Sequence, residues 1–151
     1  MKNSDVALQL KGTHQKITQI MQAKITEYDL TFGLLHILML IERNPNANQK
    51  QLAKDMNFTQ GSMSIAVKRL IKKDMLKQVP LETDMRYNRL ILTVKGKSMI
   101  DDYKDHVSAK YESIFYGFEE EELTQLHEYL LKINNNLQDI RDRNSLSNLE
   151  E

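Results

Sequence analysis

Met63, Ala66, Val67, Leu70 and Ile71 follow one another at the i, i+3, i+4, i+7, i+8 spacing of a helix with one face against a core. Thr59 stands where its hydroxyl can cap that helix, which is expected over about residues 60–74. A shorter stripe of Leu52, Ala53 and Met56 lies just before it, behind a capping Asn48, and only a turn at Asn57-Phe58 separates the two. Two short helices this close form a helix-turn-helix, and no other feature restricts the fold as much. Plotted at about 100° per residue, the side opposite the apolar face holds Gly61, Ile65, Lys68 and Lys72, with Arg69 close by.

The pattern changes at Leu76. Residues 76–79 and 89–93 are short extended candidates joined by a polar connection over 80–88 that includes Asp84 and Arg86. A basic hairpin directly after a helix-turn-helix is a wing. Upstream, Val6, Leu10, Ile17, Ile20, Met21 and Ile25 mark a helix over about 6–28, and Thr31 can cap a second helix that is apolar nearly all round. Arg43-Asn44-Pro45 ends it, because the residue before proline is pushed out of the helical region. Downstream, Thr93 and Gly96 open a long helix with Met99, Ile100, Tyr103, Val107, Tyr111, Ile114 and Phe115 on its apolar side, broken at Gly117. A last helix begins near Glu119, its four consecutive Glu favoured by the helix dipole, with Leu123, Leu126, Leu130, Ile133, Leu137 and Ile140 expected as its buried stripe. The polar tail from Asn144 is expected to fray. The fold class is mostly α with a small β-hairpin wing.

The 151 residues are about one domain's worth, and their formal net charge is zero. That average hides a division. Residues 49–97 hold eleven Lys or Arg against four Asp or Glu, an excess of seven positive charges balanced by the acidic flanks. A basic middle inside an acidic scaffold suits a phosphate-binding unit. With no cysteine, disulfides, thiolate metal sites and thiol redox sensing are excluded. The N-terminus has no apolar signal region, and the longest apolar stretch, 32–41 with His36 inside it, is about half a membrane span, so a cytoplasmic protein is expected. His14, His36, His106 and His127 show no metal-ligand spacing. With no phosphate loop, nucleophile elbow or acid-base pair either, neither a metal, another cofactor nor an enzyme is expected.

The segment "DMRYNRLILTVKG" resembles the wing signature of the MarR family of winged helix-turn-helix regulators, with Asp84, Arg86, Leu92, Thr93 and Gly96 at the signature positions. The preceding "QLAKDMNFTQGSMSIAVKRLIKKDML" is similar to the family's Leu-Ala pair, turn, Ser/Thr-rich helix start and Lys-Arg-Leu run. Two positions depart: Met85 replaces a second basic residue, and Asp74-Met75 replaces Gly followed by an apolar residue. The resemblance covers nearly the whole chain and implies one domain, with a DNA-binding lobe at about 31–93 and dimerisation helices at about 6–28 and 97–142. It implies a transcription regulator of double-stranded DNA, a repressor released by a small ligand. The alternative is a winged helix used as a protein-interaction module.

The candidate DNA-binding residues follow from groove chemistry. Gln60 can bridge adenine, Ser62 and Ser64 can bond base edges or phosphates, Gly61 permits close approach, and Ile65 can meet a thymine methyl. Lys68, Arg69, Lys72 and Lys73 lie further along, within reach of the backbone. Arg86 suits a narrow minor groove, and Asp84 is expected to stabilise the wing. The terminal helices carry more apolar stripe than a small lobe needs. The resemblance implies that they interlock in a homodimer on a pseudo-palindromic operator, with Leu10, Ile133, Leu137 and Ile140 as candidates for its interface. It also implies a cleft for a small aromatic or phenolic effector involving His14, Met21, His36 and Met39.

Overall fold

In the computed structural model of the chain, residues 2–80 and 88–147 are described. The elements run α1 (Asn3–Glu27), α2 (Phe32–Arg43), α3 (Gln49–Asp55), α4 (Gln60–Lys72), β1 (Leu76–Pro80), β2 (Asn88–Leu92), α5 (Val94–Ile114) and α6 (Glu120–Ser147). The chain divides into two compact units, Met1–Lys110 and Tyr111–Glu151. The expected mostly helical architecture with an antiparallel wing is present.

The expected caps are in place. The Leu34 N–H donates to the Thr31 hydroxyl at 3.3 Å, and the Ser62 N–H donates to the Thr59 hydroxyl at 3.1 Å. Asn48 and Gln51 form a reciprocal capping box at the start of α3, through Gln51 N to Asn48 Oδ1 at 2.9 Å and Asn48 N to Gln51 Oε1 at 3.0 Å. Asn57 sits in the turn between α3 and α4 at φ 55°, a left-handed conformation that Asn tolerates better than most residues.

The first unit is built on a single core. Ile25 of α1, Leu34, Leu35, Ile37, Leu38 and Ile41 of α2, Leu52 of α3 and Met63, Val67 and Leu70 of α4 are buried with Leu76 of β1, Leu90 of β2, and Met99, Ile100 and Tyr103 of α5. The near all-round apolar character of α2 thus has its cause: the other elements of the lobe pack about it. Each apolar face contributes by removing surface from water, about 25 cal/mol per Å². β1 and β2 pair antiparallel from Leu76 with Leu92 to Pro80 with Asn88, and a single bridge joins Arg89 to Asn48. Pro80 and Asn88 therefore belong to the strands rather than to their connection.

Thr93 joins the wing to α5. Its N–H donates to the Met75 carbonyl at 3.1 Å, its hydroxyl donates to the Asp74 carbonyl at 2.5 Å, and the Gly96 N–H donates back to that hydroxyl at 3.0 Å. At Gly96, a Cβ would lie 2.2 Å from the Met75 carbonyl oxygen, so no side chain fits there. The Leu-Thr-x-x-Gly run seen in the sequence is the chemistry of this joint. Asp74 has φ 57°, which accounts for the glycine usual at its position; Asp is among the few residues with a side chain that visit this region.

In the second unit, Phe115 and Phe118 meet edge to face around Gly117, with centroids 6.2 Å apart and φ 86° at the glycine. Helix α6 continues to Ser147, past the expected fraying point at Asn144. It contains no Gly or Pro to stop it, and the Gln138 side chain donates to Asp142 Oδ1 one turn on at 2.8 Å.

Candidate nucleic-acid interface

Helix α4 presents the face that its sequence implies. Gln60, Gly61, Ser62, Lys68, Arg69 and Lys72 are exposed, Ser64 is half-buried, and Ile65 is 58% exposed while Met63, Ala66, Val67 and Leu70 are buried behind them. The Thr59 hydroxyl donates to Ser62 Oγ at 2.9 Å while accepting the Ser62 N–H, so the start of the helix is a small polar cluster. Ile65 lines a shallow groove of about 200 Å³ with Thr31, Gly33, Phe58 and Arg69, between the start of α2 and α4.

The other cations separate into engaged and unengaged sets. Lys73 pairs with Asp29, whose carboxyl it holds below the usual carboxylate range; Lys73 therefore differs from Lys68, Arg69 and Lys72, which have no ion-pair partner among the described residues. Lys97 pairs with Glu42 and with Asp101 at 2.9 Å, and these carboxylates push its pKa up to about 12. Arg89 donates to the Pro45 carbonyl at 3.1 Å, tying β2 to the loop after α2. Lys50 and Lys54 of α3 line a second groove with Asn48, Phe58 and Gln60, and Lys77 is exposed on β1. These three lysines have no apolar periodicity of their own, and only their place in the basic middle segment marks them in the sequence.

Asp84 and Arg86 lie outside the described residues. Of the four residues assigned to an effector cleft, His14 and His36 are exposed, Met21 is buried in α1, and Met39 packs half-buried against the core. Neither groove described above is lined by any of them. Among the interface candidates, Leu10 and Ile133 are half-buried, while Leu137 and Ile140 are 53% and 47% exposed. Tyr111, Phe115, Tyr116, Phe118 and Tyr129 are also exposed. Among the described residues, no helix is long and apolar enough to cross a membrane.

Three comparisons place this geometry. The chain is 23% identical over 119 residues to the HTH-type transcriptional regulator BilQ of Clostridium symbiosum, covering 79% of this chain and 83% of BilQ. It is 33% identical over 75 residues to the HTH-type transcriptional regulator SarZ of Staphylococcus aureus, a match spanning 50% of this chain and 51% of SarZ. Among solved structures, FabT of Streptococcus pneumoniae in complex with DNA superposes with a TM-score of 0.78 at 22% identity, covering 92% of this chain and 99% of that one. The sequence model of the MarR family matches residues 30–87, the stretch that holds α2, α3, α4 and the wing. Over that stretch the chain is similar to the MarR family.

Proposed function

We infer that this protein is a transcription regulator that binds double-stranded DNA, with α4 as its recognition helix and β1 and β2 as its wing. The observation that carries the reading is the outer face of α4: slim and polar at its start, basic toward its end, and set on a buried apolar face by a capped turn. A helix enters a major groove only with such a profile, because base edges are reached first near its N-terminus. Gln60, Gly61, Ser62, Ser64 and Ile65 are then base-proximal, Ile65 against a thymine methyl. Lys68, Arg69 and Lys72 meet the backbone. Arg86 enters the minor groove, and Asp84 holds the wing.

A homodimer on a pseudo-palindrome is the second part of the reading, supported by the apolar side chains left exposed on α5 and α6. Repression relieved by a small aromatic or phenolic ligand, with His14, Met21, His36 and Met39 near it, rests on the family likeness alone. We place a regulator with this partner where the DNA is, in the cytoplasm.

Gel retardation with excess nonspecific competitor tests the reading, using duplexes that the protein enriches from a random library. About eight phosphate contacts per dimer give a slope near −7 of log affinity against log salt. Arg86→Ala is expected to weaken binding by about 1–3 kcal/mol. A protein that enriches no sequence, or binds with no salt dependence, is instead an interaction module for an acidic protein.

A further inference from the structure

Lys73 follows α4 directly and caps its C-terminal end, with its side chain about one quarter exposed. At helical spacing it lies on the flank of Ser62 and Arg69 rather than in line with Ile65, Lys68 and Lys72. Its ammonium pairs with Asp29 in the corner between α1 and α2, a residue held at φ 54° in the left-handed region. The same corner grips α5. The Tyr28 hydroxyl donates to the Asp102 carboxylate, and Lys24 pairs with that carboxylate at 3.1 Å while lying 5.3 Å from the centre of the Tyr28 ring. Residues 24–29 thus hold the first half of α5 on one side and the end of α4 on the other. Among the described residues, no other ion pair reaches α4.

We propose that Asp29 is a positioning residue for DNA recognition: through Lys73 it fixes the end of α4 to the α1–α2 corner, and so sets how the helix presents its reading face without itself touching DNA. The proposal rests on the DNA-binding reading above. An exposed carboxylate beside a DNA-facing helix opposes a polyanionic partner, so any gain from it has to come through geometry. The competing account makes Lys73 a phosphate contact for which Asp29 merely competes. The two differ in sign.

An exposed ion pair contributes at most about 1 kcal/mol, which limits the effect to about fivefold. Full-length wild type, Asp29→Asn, Lys73→Gln and the double variant are compared on the duplex the wild type selects from a random library and on unselected random duplex of equal length. Asn tolerates the left-handed backbone as Asp does, so Asp29→Asn removes the charge and leaves the corner. Both single variants and the double variant are expected to lower the ratio of selected to unselected affinity by the same factor, between about two- and fivefold, with an unchanged salt slope. Tighter binding by Asp29→Asn to both probes, with a weaker and flatter salt response for Lys73→Gln, overturns the proposal. So do losses that add in the double variant, or a ratio that no variant moves. A wild type that selects no sequence fails the DNA-binding reading and takes this inference with it.

Discussion

Helices α4 and α6 carry equally regular apolar stripes, yet they end in opposite conditions. On α4 the stripe is buried, with Met63, Val67 and Leu70 nearly inaccessible, whereas on α6 Leu123, Leu126 and Ile133 are half-buried and Leu130, Leu137 and Ile140 exposed. A stripe shows that a helix has a side that prefers to leave water; it does not show whether the covering surface belongs to the same chain. The α6 spacing adds a clue. Its six apolar positions alternate steps of three and four residues, the 3.5-residue period of helices that supercoil against a partner, while α4 follows the broader pattern of a helix on a globular core.

The sharpest way to break this contrast is to truncate one residue of each kind. Leu38→Ala, at a fully buried position of α2 in the core on which α4 also packs, is expected to cost about 2–5 kcal/mol in thermal or denaturant unfolding, whatever the protein concentration. In the homodimer proposed above, Leu137→Asp on α6 is expected to shift sedimentation from dimer to monomer, to lower Tm at high protein concentration and to remove the dependence of Tm on concentration. A variant that stays dimeric with an unchanged Tm would remove Leu137 from the interface.

Acid offers a second and gentler probe, aimed at the first unit alone. Glu42 is held below the usual carboxylate range by Lys104, at 2.5 Å, and by Lys97; Asp102 is lowered by Tyr28 and Lys24, and Asp29 by Lys73. Carboxyls lowered by folding contribute stability above their unfolded pKa of about 4 and lose it as pH falls through the lowered values. Stability is therefore expected to hold from neutral pH to about pH 5 and then decline, with Glu42→Gln flattening the decline. The smallest effect is expected at the joint of α4 with β1. Asp74→Gly relieves the left-handed backbone at φ 57° and is expected to stabilise the protein by about 0.5–1 kcal/mol, read as a rise in Tm.

What could be read from the residues alone was local. Caps at Thr31, Asn48 and Thr59, the helical stripes and the change to extended pattern at Leu76 all depend on neighbours a few positions apart, and they appear where expected. The outer face of α4 followed from the same periodicity. What the residues alone did not reveal involves partners distant in sequence. Lys73 reads as one more cation of a basic run until the fold places Asp29, 44 residues earlier, against it. Asp74 reads as a departure from a glycine pattern until its carbonyl is seen accepting the Thr93 hydroxyl, 19 residues later. The apolar side of α5 runs on to Phe115 in the sequence, whereas its buried side chains end with Tyr103 and only Val107 beyond it packs half-buried on the core of the first unit.

That last limit bears on how the chain folds as it is made. The core of the lobe closes with residues of the first half of α5, so everything it needs is synthesised before α6, and domains generally fold as units in that order. The apolar seam of α6 then emerges after the residues of that core. In the homodimer proposed above, the interval in which it is exposed to wrong partners is thereby confined to the time a finished chain takes to meet a second one.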